Sequence, residues 1–435
     1  MQFLSPRKLQ RDSQRLSTTT RGIPLVDGVA LEDIGSQRWS PSRGDLALPA
    51  LTLDDAAFAA NRDLFLRWCA SAGVAVAPHA KTPMSPELAR SLRAAGAWGT
   101  TVANIQQAAV LLASGERRLL LANEIGGLAA GRRLGALLSA YPEVEFHAFA
   151  DSPAAVAALA EAARIAERRE LSVLVELGAG RAGARDRAAI EATIAAVLAD
   201  DRLALGGVAT YEGAAATADA EETMRAIAAL LERTIETFTM VRAAAPQRPL
   251  IMSAGGSAYF DVVAQALAPV AKADGNATVL LRSGALFFAD HGIYARAFAE
   301  IDKRGGLLID GLHHSAAEGF RPALTLWAEV LSRPETSLAI AGFGMRDASF
   351  DQGLPVPLGV FRDGVEQQDL AAALAVTRLN DQHAFISVAP DAALAVGDII
   401  ALGISHPCTC LDRWRVIFGL DAAGVVTRAL PTRFG

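Results

Sequence analysis

From residue 74 to about residue 295, short β-rich apolar runs alternate with Ala/Leu/Glu/Arg stretches whose apolar positions recur with helical period. That alternation predicts a parallel sheet with a crossover helix after each strand. Eight runs qualify: "VAVAPHA" from Val74, "WGTTVANI" from Trp98, "RLLLANE" from Arg118, "EVEFHAFA" from Glu143, "LSVLVEL" from Leu171, "LALGGVATY" from Leu203, "PLIMSAGG" from Pro249 and "TVLLRSGALFF" from Thr278. Eight strands close a TIM-like (β/α)8 barrel, and the intervals leave room for one helix each. One such helix is marked in "SPELARSLRAAG", with Ser85 as N-cap, Pro86 at the first helical position and Gly96 as a stop. Past residue 295 the pattern changes to β-rich pieces such as "RPALTLWAEVLSRP", "AFISVAP" and "VGDIIALGI", divided by Gly, Pro and Asp. The organisation expected is an N-terminal arm at 1–44 associated with the β domain, a barrel at 45–295, and a mostly β C-terminal domain at 296–435.

Composition narrows the partners. The 435 residues, 51% hydrophobic, suffice for one large domain plus a smaller one and exclude a disordered chain. A net charge of −6 with no Lys/Arg block outside the extreme N-terminus leaves no electrostatic footprint for nucleic acid. No apolar run reaches the ~18 residues of a membrane span. Cys69, Cys408 and Cys410 are too few for a disulfide framework, which points to a reducing, cytoplasmic setting and leaves the close pair Cys408/Cys410 to be explained otherwise. The opening "MQFLSPRKLQRDSQRLSTTTRG" lacks the apolar core of a secretory signal; its Arg/Ser richness resembles a transit peptide, and a loosely ordered arm is the other reading.

In a barrel the loops at the C-terminal ends of the strands build the site, so charged residues there are the candidates. Lys81, in "APHAKT", is the first, and His79 lies two residues before it, on the same side if strand geometry persists. In "LVELGAGRAGAR", Gly178, Gly180 and Gly183 spell a dinucleotide fingerprint, but at the fifth strand rather than the first and interrupted by Arg181. "MSAGGSAYF" presents Ser253, Gly255, Gly256 and Ser257 before a helix, small residues whose amides can close on an anion such as a phosphate; a plain glycine turn is the alternative. Tyr211 reads either as a packing residue or as a neighbour of the site. In "ISHPCTCLDRW", His406 and Cys408 are two apart, on one face of an extended backbone, and imidazole with thiolate suits Zn²⁺; packing on a β surface is the other reading. Cys410 would share that face as a further ligand, a redox-sensitive neighbour or a bystander, Asp412 sits at the edge of reach, and His313/His314 read as loop residues.

"APHAKT" resembles the lysine motif of the D-serine dehydratase and D-threonine aldolase family, relatives of alanine racemase among fold-type III pyridoxal phosphate enzymes, and the resemblance runs with gaps from about residue 45 to the C-terminus. It implies an alanine racemase-like fold in which Lys81 holds pyridoxal 5'-phosphate as a Schiff base, a role suited to a desolvated amine. It further implies that Arg181 reaches the cofactor's phenolic oxygen and that Tyr211 lies beside the cofactor; with that cofactor, His79 on the lysine's side is a further contact, and the loop of Ser253, Gly255, Gly256 and Ser257 after strand seven reads as its phosphate cradle. Arg282 falls where racemases keep an arginine near the pyridine nitrogen and its role here stays open; His383 matches a family histidine of unclear duty. His406 and Cys408 match the family's His-x-Cys metal pair, with Zn²⁺ the expected ion. Relatives pair as dimers.

The activity so implied is a metal-assisted dehydration of a D-3-hydroxy amino acid, such as D-serine or D-threonine, to a keto acid and ammonia. Aldol cleavage to glycine and an aldehyde is the nearest alternative. A racemase has no use for the metal pair, and a non-catalytic cofactor carrier would lack the C-terminal domain. The protein is expected to be yellow, and borohydride should trap the cofactor on Lys81, as peptide mapping would show. An adduct on another lysine, or no visible band in the parent, contradicts the assignment.

Overall fold

The computed structural model describes residues 15–434. Each of the eight apolar runs is a strand: β1 (Ala75–Val76), β2 (Thr100–Val102), β3 (Arg118–Leu121), β4 (Glu145–Ala150), β5 (Leu171–Leu177), β6 (Leu203–Thr210), β7 (Leu250–Ala254) and β8 (Ala277–Leu281). They form one curled sheet with consecutive strands parallel from β2 to β8 and β8 beside β1. The seam between β1 and β2 is closed just beyond the end of β1. Trp98 N–H donates to the Val76 carbonyl at 2.9 Å, Thr101 N–H to Pro78 at 3.0 Å, and Ala80 N–H to Thr101 at 2.8 Å. Leu120, Phe149, Leu174, Ile251 and Leu280 fill the lumen, and a larger apolar cluster lies between the sheet and its helices. This is the alanine racemase-like arrangement of a parallel barrel followed by an antiparallel-sheet domain.

The helices begin where side chains satisfy their first amides. The Asp54 carboxylate accepts from Ala56 and Ala57 N–H at the start of Asp55–Ser71, and Asp186 and Asp219 do the same for Arg187–Leu198 and Ala220–Ala244. Ser85 departs from expectation. It has the extended backbone of an N-cap before Pro86–Ala94, but its buried hydroxyl makes no capping bond and finds no partner. Pro86 supplies the start instead, since its missing N–H removes one of the donors a cap would serve.

The second sheet is built around Leu324–Glu335, which pairs antiparallel with Ile399–Gly403, Leu338–Ala341 and Ala50–Asp54. The last of these strands lies within the span expected for the barrel, yet it belongs to the other sheet, where it also runs parallel to Val416–Leu420. The barrel unit therefore starts with the Asp55–Ser71 helix. Leu16, Ile23, Ile34, Trp39 and Leu46 of the N-terminal segment pack on the same sheet against Trp327, Ile399 and Phe418. Full burial of a leucine or isoleucine is worth about 1.5–3 kcal/mol, so this segment is held by packing rather than by a few polar contacts. His313 and His314, expected in a loop, are exposed in the strand Leu312–His314, whose partner is Leu307–Ile309. Much of the Arg/Ser-rich opening lies outside the described residues, and no described helix is long and apolar enough to cross a membrane.

Candidate functional site

Every barrel residue singled out from the sequence lies at the C-terminal end of a strand. Lys81 follows the seam bond of Ala80 directly, and a turn closed by Met84 N–H on the Ala80 carbonyl, at 2.8 Å, aims the loop across the mouth. Its side chain reaches solvent in the open cleft. Its ammonium pKa is nevertheless lowered, first by the surrounding protein and then by Arg181 and Arg282, with Cys408 acting the other way. Lys81 is thus biased toward the neutral amine, the form a nucleophile or base needs. The His79 imidazole lies just beneath, its pKa held well below the usual range by burial and by Lys81 and Arg282, and its buried Nδ1 has no partner. An orphaned ring nitrogen beside a neutral-leaning lysine suits a planar heteroaromatic aldehyde such as pyridoxal phosphate. Gly284 sits so close to the His79 backbone that a Cβ there would collide with it, at 2.8 Å from the His79 nitrogen.

The other barrel groups converge on the same opening. The glycine loop after β5 is pinned by Gly178 N–H to the Ala184 carbonyl and by Gly183 N–H to the Asp151 carboxylate at 3.1 Å. That leaves Arg181 exposed at its tip, with its guanidinium 4.9 Å from the Tyr211 ring centroid. Arg282 is buried and donates to the Ser253 hydroxyl at 2.7 Å and to the Thr210 carbonyl at 2.6 Å. Ser253 is therefore corrected: its hydroxyl, which also donates to Leu280, orients Arg282 and is not free for a phosphate. Ser257 remains at the rim, hydrogen-bonded to the deeply buried Tyr294. The amides of Gly255 and Gly256, expected to meet a phosphate, donate instead to Glu212 at 3.0 and 2.6 Å.

From the β domain, His406 and Cys408 enter the same cleft by a different local geometry. His406 is extended, but Pro407–Leu411 is a single helical turn, so the strand rule that put three residues on one face does not hold. At about 100° per residue, Cys408 and Cys410 point to opposite sides. Cys410 is buried against the Asp347 carbonyl, its thiol pushed up to about 12 by burial, and takes no part. Asp412 is exposed and paired with Arg413. Burial opposes the charge of His406, but its hydrogen bonds to Cys408 and Asp351 prevail and push its pKa up to about 9. His406 Nδ1 is 2.6 Å from Asp351, whose other oxygen accepts from Thr409 at 2.7 Å. A carboxylate on Nδ1 fixes the ring and leaves Nε2 as the other donor nitrogen, the outer support typical of a histidine metal ligand. Among the described residues no group of three or more His, Cys, Asp and Glu could hold a metal ion. Thr82 Oγ1 and Cys408 Sγ lie 3.2 Å apart, which joins this loop to the one carrying Lys81. His383 is exposed in the turn before Ala384–Val388.

Sequence reasoning missed the acids of this mouth. Besides Glu212, Glu124 and Asp151 follow β3 and β4, Glu176 lies next to the last residue of β5, and Glu124 is buried against Glu176. Burial first, then contact with Glu176 and the charges of Glu176 and Asp151, push Glu124 up to about 9. An acid ending a run of apolar strand residues was the available signal in both "LLLANE" and "VLVEL".

The family model described as "Alanine racemase, N-terminal domain" matches residues 53–278, more than half of the chain, and "Putative serine dehydratase domain" matches 323–420. The D-threonine aldolase of Arthrobacter sp. is 25% identical over 390 residues, 88% of this chain and 90% of that protein. The D-threo-3-hydroxyaspartate dehydratase of Delftia sp. (strain HT23) is 32% identical over 158 residues, 36% of this chain and 41% of that protein. The crystal structure of D-threonine aldolase from Filomicrobium marinum superimposes with a TM-score of 0.72 at 24% identity, covering 89% of this chain and 95% of that one.

A proton held on Glu124 up to pH ~9 in the folded chain is released near pH 4.5 in the unfolded one, so its contribution falls as pH rises between those values. Glu124→Gln is expected to remove that loss. Melting temperatures measured from pH ~6 to ~9 should diverge in the variant's favour as pH rises, whereas parallel curves would contradict a buried neutral Glu124.

Proposed function

Because the chain belongs to the alanine racemase N-terminal domain family of pyridoxal phosphate enzymes, with a serine dehydratase-type domain behind the barrel, we propose that it is a metal-assisted lyase that dehydrates a D-3-hydroxy amino acid to a 2-keto acid and ammonia. The observation that carries this reading is the contact between Thr82 and Cys408, which sets a lysine of low basicity and a His/Cys donor pair at one opening. When bound, pyridoxal phosphate supplies an electron sink that acidifies the Cα–H, and a divalent metal such as Zn²⁺ supplies a Lewis acid for the β-hydroxyl. Lys81 is the group to hold the cofactor and, as a free amine, to take the α-proton. His406 and Cys408 would hold the metal, and Asp351, bonded to Nδ1, holds the His406 ring in place. Arg181, over the Tyr211 ring, would stabilise the cofactor's phenolate, and Arg282 provides a fixed cation at the bottom of the mouth.

On this reading the reacting groups are Lys81 and a metal held by His406 and Cys408, whereas a racemase would need a second base on the opposite face of the substrate. Aldol cleavage uses the same arrangement, and it is favoured by the length over which the Arthrobacter aldolase matches this chain. The two are separated by products. D-serine, D-threonine and D-threo-3-hydroxyaspartate are expected to yield ammonia and a keto acid, with their L forms inert. Glycine with an aldehyde would move the assignment to cleavage, and turnover of an L substrate would overturn the stereochemical part.

A further inference from the structure

Glu212 follows Tyr211 at the end of β6, is 0% exposed, and was not singled out from the sequence. A carboxylate so placed must find partners within the protein. Oε2 accepts the Gly255 amide at 3.0 Å and Oε1 the Gly256 amide at 2.6 Å. The carbonyls of the same two glycines are held from the other side, each accepting the Ser283 hydroxyl at 3.2 Å, and Gly255 also accepts the Arg282 amide at 3.0 Å. The turn is thus clamped on both edges. Gly255 adopts φ +87°, a conformation L side chains rarely take, and a Cβ on Gly256 would come within 2.9 Å of the Tyr211 ring and 3.4 Å of Glu212. Gly256 is small because the acid and the tyrosine occupy the space beside it, and a Cβ on Gly255 would meet the Leu281 side chain. The Glu212 charge also favours the buried Arg282 cation.

The clamp decides which amides an incoming phosphate meets. Past the two clamped glycines, Ser257, Ala258 and Tyr259 lead into the Phe260–Asp274 helix and line a cavity of ≈ 510 Å³ with Tyr211 and Tyr294. Building on the pyridoxal phosphate reading above, we propose that Glu212 is a positioning residue of the cofactor site. Its carboxylate stays on the Gly255 and Gly256 amides when the cofactor binds, and so presents Ser257, Ala258 and the helix start to the phosphate. Moving it aside would strip a buried charge of both its donors while bringing in a second anion.

The test compares the parent with Glu212→Gln, which turns an N–H donor toward an N–H donor, and Glu212→Asp, which keeps the charge but is too short to reach both amides. Apoprotein is titrated with pyridoxal phosphate and with pyridoxal, which lacks the phosphate, following the visible band. Both variants should bind pyridoxal phosphate about tenfold or more weakly, the scale of one charge-assisted hydrogen bond, with little change for pyridoxal. Tighter binding by Glu212→Gln would mean that the carboxylate competes with the phosphate, and unchanged binding would mean that it positions nothing; either overturns the proposal. If the variants do not fold, crystals of the parent with pyridoxal phosphate decide: Glu212 should remain within about 3 Å of both amides, and its displacement overturns the proposal. A parent that forms no adduct removes the cofactor reading and this inference with it, whereas a parent that binds normally beside unaffected variants removes only the role of Glu212.

Discussion

Three backbone hydrogen bonds, Trp98 to Val76, Thr101 to Pro78 and Ala80 to Thr101, close the barrel at its weakest joint, and the placement of the candidate site follows from them. The β1 ladder with β8 is only two residues long, so without the seam the segment from Ala77 onward would be an unpaired edge. With the seam made, His79 faces into the mouth and Lys81 is the first residue free of the ladder. Thr82, buried, then points at Cys408. The Thr101 hydroxyl adds a bond to the Ala77 carbonyl at 2.6 Å, so one threonine secures both sides of the joint.

The same mouth gathers charges that the interior of a barrel would otherwise reject. Arg282 is buried, Arg181 and Lys81 stand nearby, and Glu212 and Glu176 supply the opposing sign. Burial of a charge is tolerated when it is paired and hydrogen-bonded, as Arg282 and Glu212 are. Arg282 hangs from Thr210 and Ser253, and Glu212 from two glycine amides. Burial first, and then the nearby cations, lower the basicity of Lys81 and favour the neutral amine.

The barrel was legible because its strands are continuous apolar runs and its helices carry their own start signals, and Lys81 could be placed because both lie next to it in the chain. What could not be read was pairing across long separations. Ala50–Asp54 has an apolar pattern that fits either sheet, and only Leu324–Glu335 and Val416–Leu420 decide between them. The His-x-Cys spacing reads as extended backbone, but Pro407 starts a helical turn and sends Cys410 the other way. Ser253 looked like a phosphate ligand because its neighbours are small, but strand alternation turns it inward to Arg282. Glu212 and Asp351 gave almost no local signal, as their meaning lies in the amides and the imidazole they meet in space.

The central claim is that the barrel lysine and the β-domain His/Cys pair serve one reaction site. The most direct measurement is anomalous diffraction at the zinc absorption edge from crystals grown with Zn²⁺ and pyridoxal phosphate. A single metal peak is expected about 2.0–2.1 Å from His406 Nε2 and about 2.3 Å from Cys408 Sγ, in the same cleft as continuous density joining the cofactor to Lys81. A metal bound at Cys410 or elsewhere, or a cofactor seated away from Lys81, would contradict it.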